Sequence, residues 1–265
     1  MLAPPPVTDS LREARRILTA ASQAGLPLRA AGGVAVALIS PSARTEPLRR
    51  AYQDIDFVSL SRCAHEIGAL FGELGYEPEP EFNLLHGQRR LFFSQPGTGA
   101  EADVFLDRIE MCHALDLRDR LDAVADTLSP ADLLLSKLQV VQTNLKDLKD
   151  VVALLADHPL GQGEPGAVDL GRVDELCTSN WPWWKTVTTV AGHARGYAAK
   201  IAAAAGGEGP AAVARERLDQ LLEHLERAPK SRRWRLRARV GDRVRWYELP
   251  EDVEHEAPAA RREGA

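Results

Sequence analysis

The sequence predicts an α+β fold: a small mixed sheet flanked by helices, then a C-terminal helical bundle and a terminal β-hairpin. Three observations carry that expectation. Residues 10–125 alternate short extended runs with single amphipathic helical stretches, residues 129–227 repeat apolar side chains at helical spacing, and residues 231–247 alternate arginine with apolar residues. Of the 265 residues 45% are hydrophobic, enough to core one large domain or two modest ones. With 38 acidic against 33 basic residues the net charge is −5, which by itself announces neither a nucleic-acid nor a membrane surface. Cys63, Cys112 and Cys177 are odd in number and lack CxxC spacing, which argues against a disulfide framework or a zinc site and fits a reducing, cytoplasmic setting. No apolar run approaches the roughly 20 residues that span a bilayer, and the opening MLAPPPVTDS lacks the basic and apolar regions of a secretory leader.

Taken in order, Ser10 with Glu13 three residues later reads as a capping box, and Leu11, Ala14, Ile17, Leu18 and Ala21 share a helix face that Gly25 ends. Residues 26–31 read as a short strand that Gly32-Gly33 turns into a small-residue helix over 34–40. A connection bearing Arg44, Arg49 and Arg50 leads to the strand Asp54-Ile55-Asp56-Phe57-Val58. Next comes a helix over 61–74, with Ile67, Leu70, Phe71 and Leu74 as its apolar stripe and Gly75 as its stop. Residues 81–86 and 89–94 read as strands, the second joined through Pro96-Gly97-Thr98-Gly99 to a strand over 102–106. Ser129 as N-cap and Pro130 at the first helical position open a helix carrying Lys137, and the next helix carries Asp147 and Asp150. Residues 161–166 form a linker; helices over 169–177, 181–205 and 210–227 follow, with Trp181, Trp183 and Trp184 placed to fill their core. The expected boundaries are a core over 1–125, a helical domain completing the site over 126–228, an arginine-rich hairpin over 229–250 and a disordered tail over 251–265.

The chemistry concentrates on Asp54 and Asp56. In a strand, residues i and i+2 point to one side, so two carboxylates share a small volume and raise one another's pKa unless a cation sits between them. Mg²⁺ held by carboxylates and substrate phosphates is the common solution. The competing expectation is that one aspartate caps a turn while the other is solvated. Gly32-Gly33, between a strand and a helix start, makes a phosphate-cradling geometry, since glycine lets backbone approach an anion and helix N-terminal N–H groups attract it. Asp103, among apolar neighbours in a strand, is an expensive place for a charge without a partner; it is the candidate third carboxylate, with Asp107 as competitor.

A glycine pair, a DxD strand and a single Asp in a later strand resemble the nucleotidyltransferase fold of DNA polymerase beta, the aminoglycoside nucleotidyltransferases and the minimal nucleotidyltransferases. Lys137 on a helix, followed thirteen residues later by Asp150 within Lys146-Asp147-Leu148-Lys149-Asp150, is most similar to the AbiEii-like abortive-infection group, many of them toxins of toxin–antitoxin pairs. The resemblance covers residues 10–158. It implies Mg²⁺ on Asp54, Asp56 and Asp103, two ions when NTP is bound, and a nucleotide site of Gly32, Gly33, Lys137, Asp147 and Asp150, in which Asp147 or Asp150 orients that lysine or closes the site. Asp103 would also act as base toward an acceptor hydroxyl. The chain departs from the pattern in having Gly33 where many members have serine, and in the step of 21 positions from Gly33 to Asp54, which implies an insertion.

The expected function is therefore Mg-dependent transfer of a nucleoside monophosphate from an NTP to a hydroxyl of tRNA or other RNA, a protein or a small molecule. The alternative is an inactive relative serving as a nucleotide- or RNA-binding module. Arg235, Arg237, Arg239, Arg243 and Arg245, on one face of the expected hairpin, form a candidate RNA surface; an edge hairpin kept soluble by charge is the competing reading. The resemblance adds an antitoxin protein as a further candidate partner.

Overall fold

In the computed structural model, which describes residues 7–249, the chain is α+β, with a five-stranded mixed sheet and a helical C-terminal region. Helix α1 (Val7–Gln23) leads through Gly25, at φ +68°, to β1 (Arg29–Ala30), α2 (Gly32–Ile39) and β2 (Asp54–Ser59). Helix α3 (Ala64–Glu73), β3 (Glu77–Pro78) and α4 (Pro80–His86) precede the hairpin of β4 (Arg90–Gln95) and β5 (Ala100–Leu106). The sheet order is β1-β2-β5-β4-β3, antiparallel except for the central β2–β5 pair. A small ribbon of β6 (Arg108–Glu110) and β7 (Ala114–Asp116) follows, then α5 (Pro130–Leu138) and α6 (Leu145–Asp157). The two-residue strands β8 (Leu160–Gly161) and β9 (Val168–Asp169) pair across the expected linker, and α7 (Leu170–Cys177), α8 (Trp181–Ala204), α9 (Pro210–Arg227) and α10 (Arg232–Val240) finish the described chain.

Alternation along the strands decides which sheet face is core. Phe57, Phe93, Ala102 and Val104 are buried on one face, where Phe71 of α3 stacks on Phe93 at 4.4 Å and meets Phe57 edge-on at 6.0 Å. The aspartates project from the other face. The buried apolar set runs without a break from Leu11 of α1 to Leu225 of α9, so the helical half is packed onto the sheet half through one core. No helix among the described residues is long and apolar enough to cross a membrane.

Three local expectations are corrected. Helix α1 starts by Val7, so Ser10 lies inside it; the hydroxyl is buried and donates to the Tyr52 carbonyl at 3.3 Å instead of capping. Residues 81–86 are helical, because Pro80 occupies the first helical position and Asn83 ties α4 to Phe92 of β4 through both its amide groups. The terminal β-hairpin expected over 229–250 is instead α10 followed by a 3-10 turn over Gly241–Arg243. Ser231 accepts from the Trp234 N–H as an N-cap, and Trp234 packs edge-on against Trp184 of α8 at 5.2 Å. Arginine and apolar residues alternating over only seven positions fit either period. The cap and the tryptophan contact select the helix. The expected disordered tail over 251–265 lies outside the described residues.

Candidate active site

The parallel register of β2 and β5 sets Asp56 directly beside Asp103 and Asp54 beside Glu101, so four acids share one face of adjacent strands. Asp54 is exposed, Asp56 half-buried and Asp103 buried. Burial pushes the Asp56 carboxyl up from 3.8 to about 7, with Asp54 and Asp103 adding to the rise and Lys137 and Arg90 opposing it. Asp103 is engaged by a cation. The β4–β5 register puts Phe92 opposite Asp103, and Arg90, one step along the same face, reaches diagonally to it; its Nε lies 2.8 Å from each carboxylate oxygen, and a terminal nitrogen adds a further bond. Among the described residues no three His, Cys, Asp or Glu side chains converge as a metal-ligand set. Asp107, the competitor, lies past the strand end at φ +66° and accepts from the Ser61 N–H at 2.9 Å, so it serves the loop.

The two glycines answer different constraints. Gly32 sits at φ +58°, and a Cβ there would overlap the Asp56 carboxylate. Gly33 has ordinary backbone, but a Cβ would strike the Arg50 guanidinium and lie 3.0 Å from the Tyr52 ring. The first glycine therefore brings the start of α2 against the acid, and the second admits Arg50. Ala31 at the N-cap offers no side-chain acceptor to the first turn of α2.

Lys137 and its partners form the opposite wall. Its Nζ lies 3.0 Å from both Asp147 Oδ1 and Asp150 Oδ2, and Arg50 makes a two-pronged pair with Asp150 at 2.8 and 2.9 Å. Burial works against the lysine's charge, but Asp150 and Asp147 outweigh it and raise its pKa. Burial likewise opposes ionisation of Asp150, and Lys137 and Arg50 overcome it. Arg50 also lies 4.3 Å over the Tyr52 ring, whose hydroxyl burial pushes up to about 12. The Lys137 charge works against the rise of the Asp56 pKa. Ser129, accepting from the Asp132 N–H, and Asn144, accepting from the Asp147 N–H, fix the starts of the two helices that carry these groups.

The sequence-predicted residues Gly32, Asp54, Asp56, Asp103, Lys137, Asp147 and Asp150 thus surround one face, and Gly33 serves it through Arg50. The arginines assigned to a hairpin face are not one surface. Arg237 lies 4.6 Å over the Trp181 ring and donates to the Gly241 and Val244 carbonyls, while Arg235, Arg239, Arg243 and Arg245 are exposed. Sequence reasoning missed Arg90 and Glu101, although counting outward from the 96–99 turn would have placed both beside the aspartates. Arg50 pairs with a residue 100 positions away, for which the sequence carries no local signal. No protein-family model matches the chain, and no curated protein aligns with it.

Proposed function

We propose that this chain transfers a nucleoside monophosphate from an NTP to a hydroxyl acceptor. The observation that supports the reading most is the strand register that crowds Asp54, Asp56, Glu101 and Asp103 onto one face of β2 and β5. A half-buried carboxyl flanked by Asp54 and Asp103 and held up to about 7 is a site where a divalent cation would replace a proton. Asp54 and Asp56 are the acids that would hold Mg²⁺. A bound ion would offset the charge of the triphosphate and of the attacking and leaving oxygens.

The protein's own groups supply the rest. The start of α2 presents backbone N–H groups to the triphosphate. Lys137 is held by two acids and retains a third N–H for a phosphate oxygen. Arg50 fixes Asp150, and through it Lys137, so it is a positioning residue. Asp103 reaches an acceptor hydroxyl as base only when Arg90 exchanges to another anion. That pair also favours a second reading, a nucleotide- or RNA-binding relative without transfer, in which Arg90 permanently neutralises the third carboxylate.

The test is label transfer from each α-³²P NTP to total RNA, to protein and to small hydroxyl compounds, with pyrophosphate release followed in parallel. Transfer that needs Mg²⁺ and disappears in Asp54→Asn and Asp56→Asn is expected. Nucleotide binding without any pyrophosphate release establishes the second reading instead.

A further inference from the structure

On the far side of Asp103 from the glycine turn lies a cleft of about 740 Å³, within the range of ~300–1,000 Å³ usual for ligand sites. The sheet order requires this placement, because β1 and β2 carry the glycine turn and Asp56, whereas β4, beyond β5, carries Arg90. Its inner end is Arg90, whose guanidinium lies 4.8 Å from the Phe105 ring and 5.6 Å from Phe82. Its walls are the β6–β7 ribbon, the start of α8 and the returning segment 244–249. That segment is fastened at several points: the Glu248 N–H donates to the Cys112 carbonyl at 3.1 Å, and Trp246 Nε1 donates to Thr186 Oγ1 at 3.1 Å. Thr186 also meets His113 Nε2 at 2.8 Å, and burial holds the His113 pKa down at about 4, so the ring is neutral at pH 7.

The lining combines two chemistries. Five arginines (Arg89, Arg90, Arg108, Arg237 and Arg245) face two glutamates, Glu110 and Glu248, so the cleft is electropositive on a chain of net charge −5. Aromatic rings interleave with them. Trp183 lies against His113 at 5.0 Å, and Trp246 and Tyr247 form the outer wall. Cations for phosphates beside flat rings for unstacked bases are what a single-stranded nucleic-acid site needs.

We infer that this cleft binds a nucleoside phosphate, an unstacked base with its phosphate, and that the phosphate takes Arg90 away from Asp103. The inference rests on the transferase reading only in making that ligand the acceptor: the exchange removes the Arg90 guanidinium from the carboxylate nearest the cleft when the cleft is filled. A free mononucleotide and the end of a single strand share this chemistry.

The experiment is binding of a fluorescein-labelled single-stranded RNA trinucleotide, and separately of AMP, to the full chain in EDTA, read by anisotropy and by quenching of tryptophan fluorescence. Binding with quenching is expected, from AMP if the occupant is a mononucleotide and from the trinucleotide alone if it is a strand end. Arg108→Glu with Arg245→Glu, both on the exposed rim, should weaken it at least tenfold and reduce the salt slope by about 0.7 for each phosphate no longer neutralised. Arg90→Lys should weaken it while leaving the fold intact by circular dichroism. Unquenched tryptophans, or binding lost on Arg235→Glu with Arg239→Glu but kept in the rim variant, overturn the inference. Binding without transfer in the wild-type protein defeats only the transferase reading, and transfer indifferent to the rim variant defeats only the cleft.

Discussion

Replacing Asp56 by Asn tests the electrostatic core of the site without any assay of function. In the folded chain the Asp56 carboxyl sits at about 7, raised by burial and then by Asp54 and Asp103 from 3.8, so the native state holds a proton there that the unfolded chain releases in acid. A raised carboxyl stabilises the fold fully below its unfolded pKa, and the stabilisation is lost as pH rises toward 7. Between about pH 5.5 and pH 8.5 the loss integrates to about 2 kcal/mol, on a total of about 4 kcal/mol at the alkaline end. The amide of the Asp56→Asn variant carries no such proton. Urea denaturation of both proteins in EDTA at the two pH values should therefore show the variant gaining about 2 kcal/mol on the wild type as pH rises, whatever its fixed cost. Mg²⁺ should recover part of the wild-type loss at the alkaline pH and leave the variant unchanged. A stability difference that is flat, or that shrinks with pH, refutes the raised Asp56 pKa and with it the burial and crowding assigned as its cause.

Gly33→Ala should displace Arg50 from buried Asp150 and so lower fold stability and, under the transferase reading, label transfer as well, whereas Gly32→Ala, at φ +58° and against Asp56, should destabilise the chain by at least about 1 kcal/mol on the scale of left-handed backbone strain; differential scanning calorimetry of both variants checks this. Arg50→Met leaves buried Asp150 with Lys137 alone and should cost ~3–5 kcal/mol in chemical denaturation, since one partner of a buried pair is removed. Asp132→Ala, stripping a buried acid of its bonds to Ser129, Arg120 and Arg172, should cost at least as much, with no specific change in nucleotide affinity by titration calorimetry. Ser231→Ala should fray α10 for about 1 kcal/mol, seen as loss of helical circular dichroism and faster amide exchange over 232–240.

What could be read from the sequence was set by interactions close along the chain. The Ser129-Pro130 start of α5, the Gly25 and Gly75 stops and the 96–99 turn were legible because each is a residue whose backbone chemistry admits few alternatives. The pairing of Asp54 with Asp56 followed from period two alone. Helices α4 and α10 were not legible. Leu84 and Leu85 point to solvent and Leu236 is 62% exposed, so neither short helix shows a clean apolar stripe. Arg90 was hidden because a hairpin's register, not its composition, aims one residue at another. Arg50 and Asp150 were hidden more deeply, because the fold alone brings them together.

These pairings explain where the unbalanced charge of the face resides. Arg50 and Lys137 are matched to Asp150, Lys137 also to Asp147, and Arg90 to Asp103, each within hydrogen-bonding distance. The buried cations thus neutralise acids on α6 and β5, while the charge that burial and repulsion resist stays on Asp56 beside exposed Asp54. A fold that wanted only stability would place an apolar residue at position 56, because a half-buried carboxyl near like charges costs more than it returns. Keeping it there, against a glycine whose missing side chain makes the room, is reasonable where an incoming cation completes the balance, and Arg90, facing both Asp103 and the cleft, is the one of these cations that an incoming anion could redirect.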